Sequence, residues 1–169
     1  MLAQQEKRGQ PYVLVEPKRS FDEVLCEVDW HDYLARLRLP GTQYLIGTAI
    51  RLIRDQATGL EYLCSTSGVT SRTPTAEIRW PRTAGQTLTD GSVVWTAQAV
   101  SISSLRTTIT SNAWSATSGV NLGAEFVSDL RYQVIVAGGV SGQHYEVRHR
   151  VTLANGEDKE AVILLPVQD

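Results

Sequence analysis

Several things that a functional class would require are scarce in this sequence. Its 169 residues hold two cysteines, one methionine and two phenylalanines. Cys26 and Cys64 are too few for a disulfide framework or a cysteine zinc site, so both are expected to be free thiols. A basic excess is missing as well: 16 Lys and Arg stand against 18 Asp and Glu, a formal net charge of −2. A chain held to nucleic acid by phosphate contacts needs surplus cations, so no direct nucleic-acid partner is expected. No apolar run approaches the roughly 18–20 residues that span a bilayer, and no membrane role is expected. The opening residues, MLAQQEKRGQ, contain no apolar core of the kind a secretory signal has. The chain is therefore expected to be made and kept in a cytoplasm, or built into something assembled there.

Motifs of catalysis are also lacking. There is no G-x-S-x-G, P-loop, H-E-x-x-H, Cys-x-x-Cys or EF-hand loop, and neither a catalytic residue nor a cofactor site is expected. Asp29-Trp30-His31-Asp32 gathers two carboxylates and an imidazole, but its spacing fits no standard metal site. An interface patch or a helix start is the better reading, and no metal is expected. His149 falls on the apolar face of its strand and reads as a hydrogen-bonded core histidine.

What is present is β-structure. Thr, Ser, Val and Gly recur, and short alternating runs are separated by turn residues. Tyr12-Val13-Leu14-Val15 lies between Pro11 and Pro17, which restrict it to an edge strand or an extended arm. Residues 22–30 read as a strand, followed by one helical turn that Asp29 or Asp32 caps and Pro40-Gly41 ends. Residues 43–54 and 60–65 read as a hairpin. A long polar excursion over 65–91 needs apolar anchors, and Ile78, Trp80 and Leu88 are the ones available. Ser92–Thr96 then reads as a strand.

Further strands are expected over Leu105–Thr110, from Ala113, over Leu130–Val136, over Tyr145–Leu153 and over Lys159–Val167. Asn155-Gly156 is a hairpin turn. In the Tyr145–Leu153 run, Tyr145, Val147, His149, Val151 and Leu153 share one face. Strands at this spacing suggest an antiparallel sandwich of immunoglobulin type. Trp80, Trp95, Tyr44 and Tyr62 have two readings, a platform for sugar rings or the core of a small module, and the core reading is favoured. Arg148 and Arg150 are read as a solvated face paired with Glu146.

Two resemblances follow from particular residues. Tyr44, Gly47, Gly59, Tyr62, Cys64, Gly68, Pro74, Trp80-Pro81, Gly85, Thr89-Asp90-Gly91, Val93 and Trp95 resemble the outline of a small β module of bacteriophage tail and virion proteins. Residues 20–36 and 102–169 together resemble the phage fiber–tail adaptor family. The residues that carry this likeness are Asp29-Trp30, Tyr33-Leu34, Ile109, Trp114, Gly138-Gly139, Gly142, Tyr145, Val147 and Gly156. That family implies an Ig-like sandwich and a place in the virion. Arg36 and Arg38 make the stretch after Trp30 longer and more basic than the family outline.

Together these readings give an all-β chain: an Ig-like antiparallel β-sandwich with an inserted small β module and an extended N-terminal arm. The expected boundaries are 1–19 for the arm, 20–40 and 102–169 for the discontinuous sandwich, and 41–101 for the inserted module. The expected function is that of a virion structural protein, not an enzyme. It would be a tail, neck or baseplate adaptor that attaches fibers or adjacent rings to the tail. A capsid decoration or cement protein and a carbohydrate-binding module on a virion are the alternatives. Expected partners are other virion proteins of the tail, neck or fiber, in a symmetric homo-oligomer. Expected contact residues are Tyr12, Val13, Leu14, Trp30, Tyr33, Leu37 and Trp80, each large and apolar in a segment with poor local means of burial.

Overall fold

The structure, a computed structural model, describes the backbone of residues 12–14 and the whole of residues 22–168. The chain divides into two compact units, residues 1–33 with 107–169, and residues 34–106.

The first unit begins with β1 (Tyr12–Leu14) and β2 (Val24–Asp29), which pair antiparallel with Tyr12 opposite Asp29. Thus three residues of the expected arm form an edge strand on their own chain; the rest of residues 1–19 lies outside the described residues. Helix α1 (His31–Leu34) follows at once. Its start is fixed by Asp29, whose Oδ1 accepts the His31 backbone N–H at 2.8 Å, satisfying a donor that a helix start would leave orphaned.

The second unit holds β3 (Gln43–Tyr44), β4 (Ala49–Ile50), β5 (Leu60–Thr66), β6 (Gly68–Val69), β7 (Thr87–Asp90) and β8 (Val93–Ala99). Four of these form a sheet in the order β4-β5-β8-β7, and β3 pairs with β6. The polar excursion is tied down as its composition requires. Trp80 joins Tyr44, Ile50, Leu52, Tyr62, Cys64, Val93, Trp95 and Ala97 in one buried cluster, with Ile78, Leu88 and Leu60 packed against it. The two ends of the unit meet in an antiparallel stem: Arg36 N–H donates to Ser104 O at 2.7 Å, and Arg106 N–H to Leu34 O at 2.8 Å.

The chain then returns to the first unit with β9 (Ile109–Ala116), β10 (Val120–Ser128), β11 (Arg131–Gly138), β12 (His144–Leu153) and β13 (Asp158–Pro166). These complete a four-stranded sheet, β1-β2-β11-β10, and a three-stranded sheet, β13-β12-β9. The inward faces follow the alternation in the sequence. Tyr145, Val147, His149, Val151 and Leu153 of β12 are buried, as are Tyr132, Val134 and Val136 of β11, Cys26 and Val28 of β2, and Ala161, Ile163 and Leu165 of β13. The fold is an all-β sandwich of antiparallel sheets.

Two strand expectations need correction. Leu105–Thr110 is not one strand: Leu105 makes an isolated bridge with Ala35, residues 106–108 are irregular, and β9 begins at Ile109 and runs as one strand through Ala113 and Trp114. Strand β10 was not anticipated at all.

Candidate interaction surface

The buried aromatics and charges of each unit determine which side chains remain for contacts. In the first unit, the Trp30 indole N–H donates to His149 Nδ1 at 3.0 Å, and His149 Nε2 lies 3.4 Å from Asn112 Oδ1. A ring nitrogen that accepts from an indole carries no proton, so the imidazole is the neutral Nε2–H tautomer. Trp114 and Tyr132 pack on the same ring at centroid distances of 4.4 and 4.7 Å. Burial in this setting depresses the His149 pKa to about 4.

In the second unit, Arg38 and Asp90 form a fully buried bidentate pair, Nε to Oδ2 at 2.7 Å and Nη2 to Oδ1 at 2.9 Å. The remaining guanidinium hydrogens reach Thr73 O, Thr75 Oγ1 and Ser71 O. All five donors of Arg38 are therefore used, which is the condition for a buried guanidinium to be tolerated. Asp90 also accepts from the Ser71 N–H and hydroxyl and from the Trp95 indole. Burial raises the Asp90 pKa, but the bonds from Arg38, Ser71 and Trp95 outweigh it and hold the group below its ordinary value. The pair thus pins residues 71–75 to the unit's core.

A second buried carboxylate, Glu61, accepts from Gln98, from the Ser101 N–H and hydroxyl, and from the Ser103 and Ser104 hydroxyls. Burial pushes its pKa up, and these bonds bring it below the ordinary value. They also explain the 3-10 turn at 102–104, which together with its N-cap Ser101 presents three serine hydroxyls to one carboxylate.

The expected contact residues fare differently from one another. Trp30 is 1% exposed and Trp80 is 7% exposed. The premise that their segments lack means of burial is thus corrected: Trp30 is held by His149 and by an edge-on contact with Tyr33 at 5.7 Å. Trp80 is held by Tyr62 and Trp95, with its indole N–H on Thr75 O. Tyr33 and Leu37 stay partly exposed. Tyr12, Val13 and Leu14 are placed by their backbone on β1, beside β2. Trp30 and Tyr33 are brought together; Leu37 and Trp80 belong to the other unit.

Trp80, Trp95, Tyr44 and Tyr62 are core side chains. On β12, Arg148 bonds Glu146 and Glu160, and Arg150 bonds Asp158, so this basic face is internally paired. Cys26 and Cys64 are buried thiols, not joined in a disulfide. Among the described residues no cluster of His, Cys, Asp and Glu suits a metal ion, and no helix is long and apolar enough to cross a membrane.

Sequence reasoning missed the exposed apolar residues of β10. Among the described residues this strand pairs with β11 alone in its sheet. Phe126 and Val127 are neighbours on it and point to opposite faces, yet they are 50% and 59% exposed. A strand with side chains exposed on both faces, and with no strand on its outer edge among the described residues, is a candidate contact element. The signal available in the sequence was adjacent Phe and Val in a segment without alternation.

No curated protein matches the chain, and no solved structure does. A family match covers residues 73–166, more than half of the chain. It begins inside the segment set apart above as an inserted module and does not reach residues 20–36, so the likeness is distributed differently from the sequence reading. The all-β sandwich of antiparallel sheets accords with that match. The chain belongs to the family of podophage GP4 fiber-tail adaptor protein gp77.

Proposed function

We propose that this chain is a non-enzymatic virion protein that attaches fibers or an adjacent ring to a phage tail. The observation that carries the reading is the family match over residues 73–166. A phage tail-associated structural role follows from that membership, and the attachment itself is the further step. The geometry supports it in two ways. The buried polar groups of both units are spent on holding the frame, which suits a part that bears load. The edge of β10, unpaired among the described residues, and its exposed Phe126 and Val127 give that frame a surface on which a neighbouring virion protein can add a strand.

Tyr12, Val13, Leu14, Tyr33 and Leu37 are proposed as contacts beside it. Trp30 and Trp80 act through the packing of the elements that carry them. The partners are other tail, neck or fiber subunits, and the chain takes its place in several copies.

The test is a phage stock lacking this chain, examined by negative-stain microscopy and complemented in trans. Tails without fibers or without the adjoining ring, restored by complementation, are expected. Fully fibered tails overturn the attachment role, and labelled chain at many sites on the head indicates a decoration protein instead.

A further inference from the structure

The first unit leaves one strand edge without the usual guards. Its sheet order, β1-β2-β11-β10 with β13-β12-β9, is that of a constant-type immunoglobulin sandwich. The variable type adds a further strand beside the one that β9 occupies, and here β9 pairs with β12 alone among the described residues. Natural edge strands are commonly blunted by charge, by proline or by brevity. Strand β9 has none of these three. It is eight residues long, and residues 107–124 contain no proline and no Asp, Glu, Lys, Arg or His.

Hydrogen-bond alternation fixes which backbone groups face that edge. The Thr117 N–H donates to Glu146 O at 3.0 Å, one step beyond the Ala116–Val147 pair. Every second residue back from Thr117 therefore bonds β12: Ser115, Ala113 and Ser111, opposite Arg148, Arg150 and Thr152. Asn112, Trp114 and Ala116 turn their backbone N–H and C=O groups outward, and those groups have no partner among the described residues. Their side chains lie on the inner face, since Trp114 stands opposite the buried His149. Trp114 stacks on that imidazole yet is only half-buried, and Asn112 is exposed. On β10, Val127 stands opposite Tyr132, which packs on the same imidazole, so Val127 also faces inward; it is 59% exposed. The inner faces are thus uncovered on the side where a further strand would lie.

From this edge we infer that β9 accepts an extended strand from a neighbouring tail or fiber protein, in the place of the extra strand of a variable-type sandwich. The inference rests on the attachment reading above; it adds a second acceptor edge beside β10 and states what that edge takes. Outward N–H and C=O groups at two-residue spacing match an extended backbone, which neither a sugar nor a helix supplies. The inward-facing residues of the incoming strand cover Trp114 and are therefore apolar. Its outward-facing residues lie beside Ser111, Ala113 and Ser115, which are small and exposed, so bulk is tolerated there. An edge without charge offers an incoming charge no partner, and the occupant is a neutral strand. A second copy is the less favoured donor, because β9 laid edge to edge on β9 brings mostly Ser, Asn and Ala to the open side and covers little of it.

The test follows single amides by hydrogen exchange, in the purified full-length chain and in purified tails. In the free chain, the amides of Asn112, Trp114 and Ala116 are expected to exchange at least about a hundredfold faster than those of Ser111, Ala113 and Ser115. In tails all six are expected to be slow. A proline at position 116 deletes one outward donor and spares the β12 ladder. Ala116→Pro should therefore keep its unfolding midpoint. Supplied in trans to phage lacking the chain, it should cut the yield of tails with fibers or with the adjoining ring by at least about tenfold. Ala116→Ser, which keeps the amide, should restore them fully. With a photo-reactive phenylalanine in place of Ala113, irradiated tails should yield a cross-link to a different virion protein, within a run of uncharged, alternating residues.

Three amides that exchange as fast in fibered tails as in the free chain overturn the inference and leave the attachment role standing. A folded Ala116→Pro chain that restores normal tails overturns it too. A cross-link from position 113 to this chain itself assigns the edge to contact between copies and rejects the neighbouring protein as donor. Should Ala116→Pro fail to fold, the exchange comparison in the wild type decides. Tails that are complete in phage lacking the chain defeat the attachment reading, and this inference with it.

Discussion

His149 couples the first unit to pH through one ring. In the unfolded chain its imidazole titrates near the ordinary 6.5, and in the fold at about 4. Between those values the unfolded chain takes up a proton that the native state refuses. The stabilisation is thus complete above pH 6.5 and is lost as pH falls toward 4. From pH 7.5 to 4.5 the loss amounts to about 2.5 kcal/mol. Urea titrations at the two pH values should show it in the wild type, and His149→Gln should remove it. Glutamine can still accept from Trp30 but does not titrate. Equal pH sensitivity in the two proteins would assign the effect to other groups.

The Arg38–Asp90 pair makes a different residue-level case. Arg38→Ala strands a buried carboxylate, and a loss of about 3–5 kcal/mol is expected. Arg38→Met with Asp90→Asn removes both charges and should recover part of that loss. A double variant as unstable as the sum of its parts would deny the coupling. His149 was legible in the sequence because its strand alternates cleanly. Arg38 was noticed only as a departure from a family outline, because a partner 52 residues away leaves no local mark.

At the scale of elements, burial decided what could be read. The hairpin of β12 and β13 was legible because one face is covered and Asn155-Gly156 marks the turn. Strand β10 was not, since a strand exposed on both faces has no need to alternate. The start of β9 was misplaced because Leu105 and Arg106 answer to Ala35 and Leu34 in the stem, which are distant in sequence. The turn at Asp90-Gly91 was legible, and its tolerance can be measured. Gly91 has φ of +66°, and a Cβ there would sit 2.3 Å from Val69 O and 2.7 Å from Ser71 N. Gly59 has φ of +77° with nothing within 4 Å of the same position. Gly59→Ala therefore meets only backbone strain, about 1 kcal/mol, whereas Gly91→Ala adds a collision with backbone and should cost about 2–4 kcal/mol. Denaturant midpoints that rank the two variants the other way would show that the β6 strand yields.

For the whole molecule, the sequence reading placed an insertion at 41–101, while contacts cluster over 34–106. The difference is the stem: the Ala35–Leu105 bridge and the backbone bonds around it bring entry and exit strands together before the small module begins. A closed stem of this kind lets a segment hold its own core while interrupting another, and we propose that the two units are separate folding domains. The Arg38–Asp90 pair supplies the means of testing it, since both residues lie wholly within the second unit. In Arg38→Ala, native-state hydrogen exchange should accelerate by about a hundred- to a thousandfold for amides of β5 and β8. The amides of β11 and β12 should keep their wild-type rates, because opening the second unit leaves the sandwich pairing of β2 with β11 intact. Equal acceleration in both sets would mean that the sandwich cannot close unless the segment interrupting it is folded, and the chain would then be one cooperative unit.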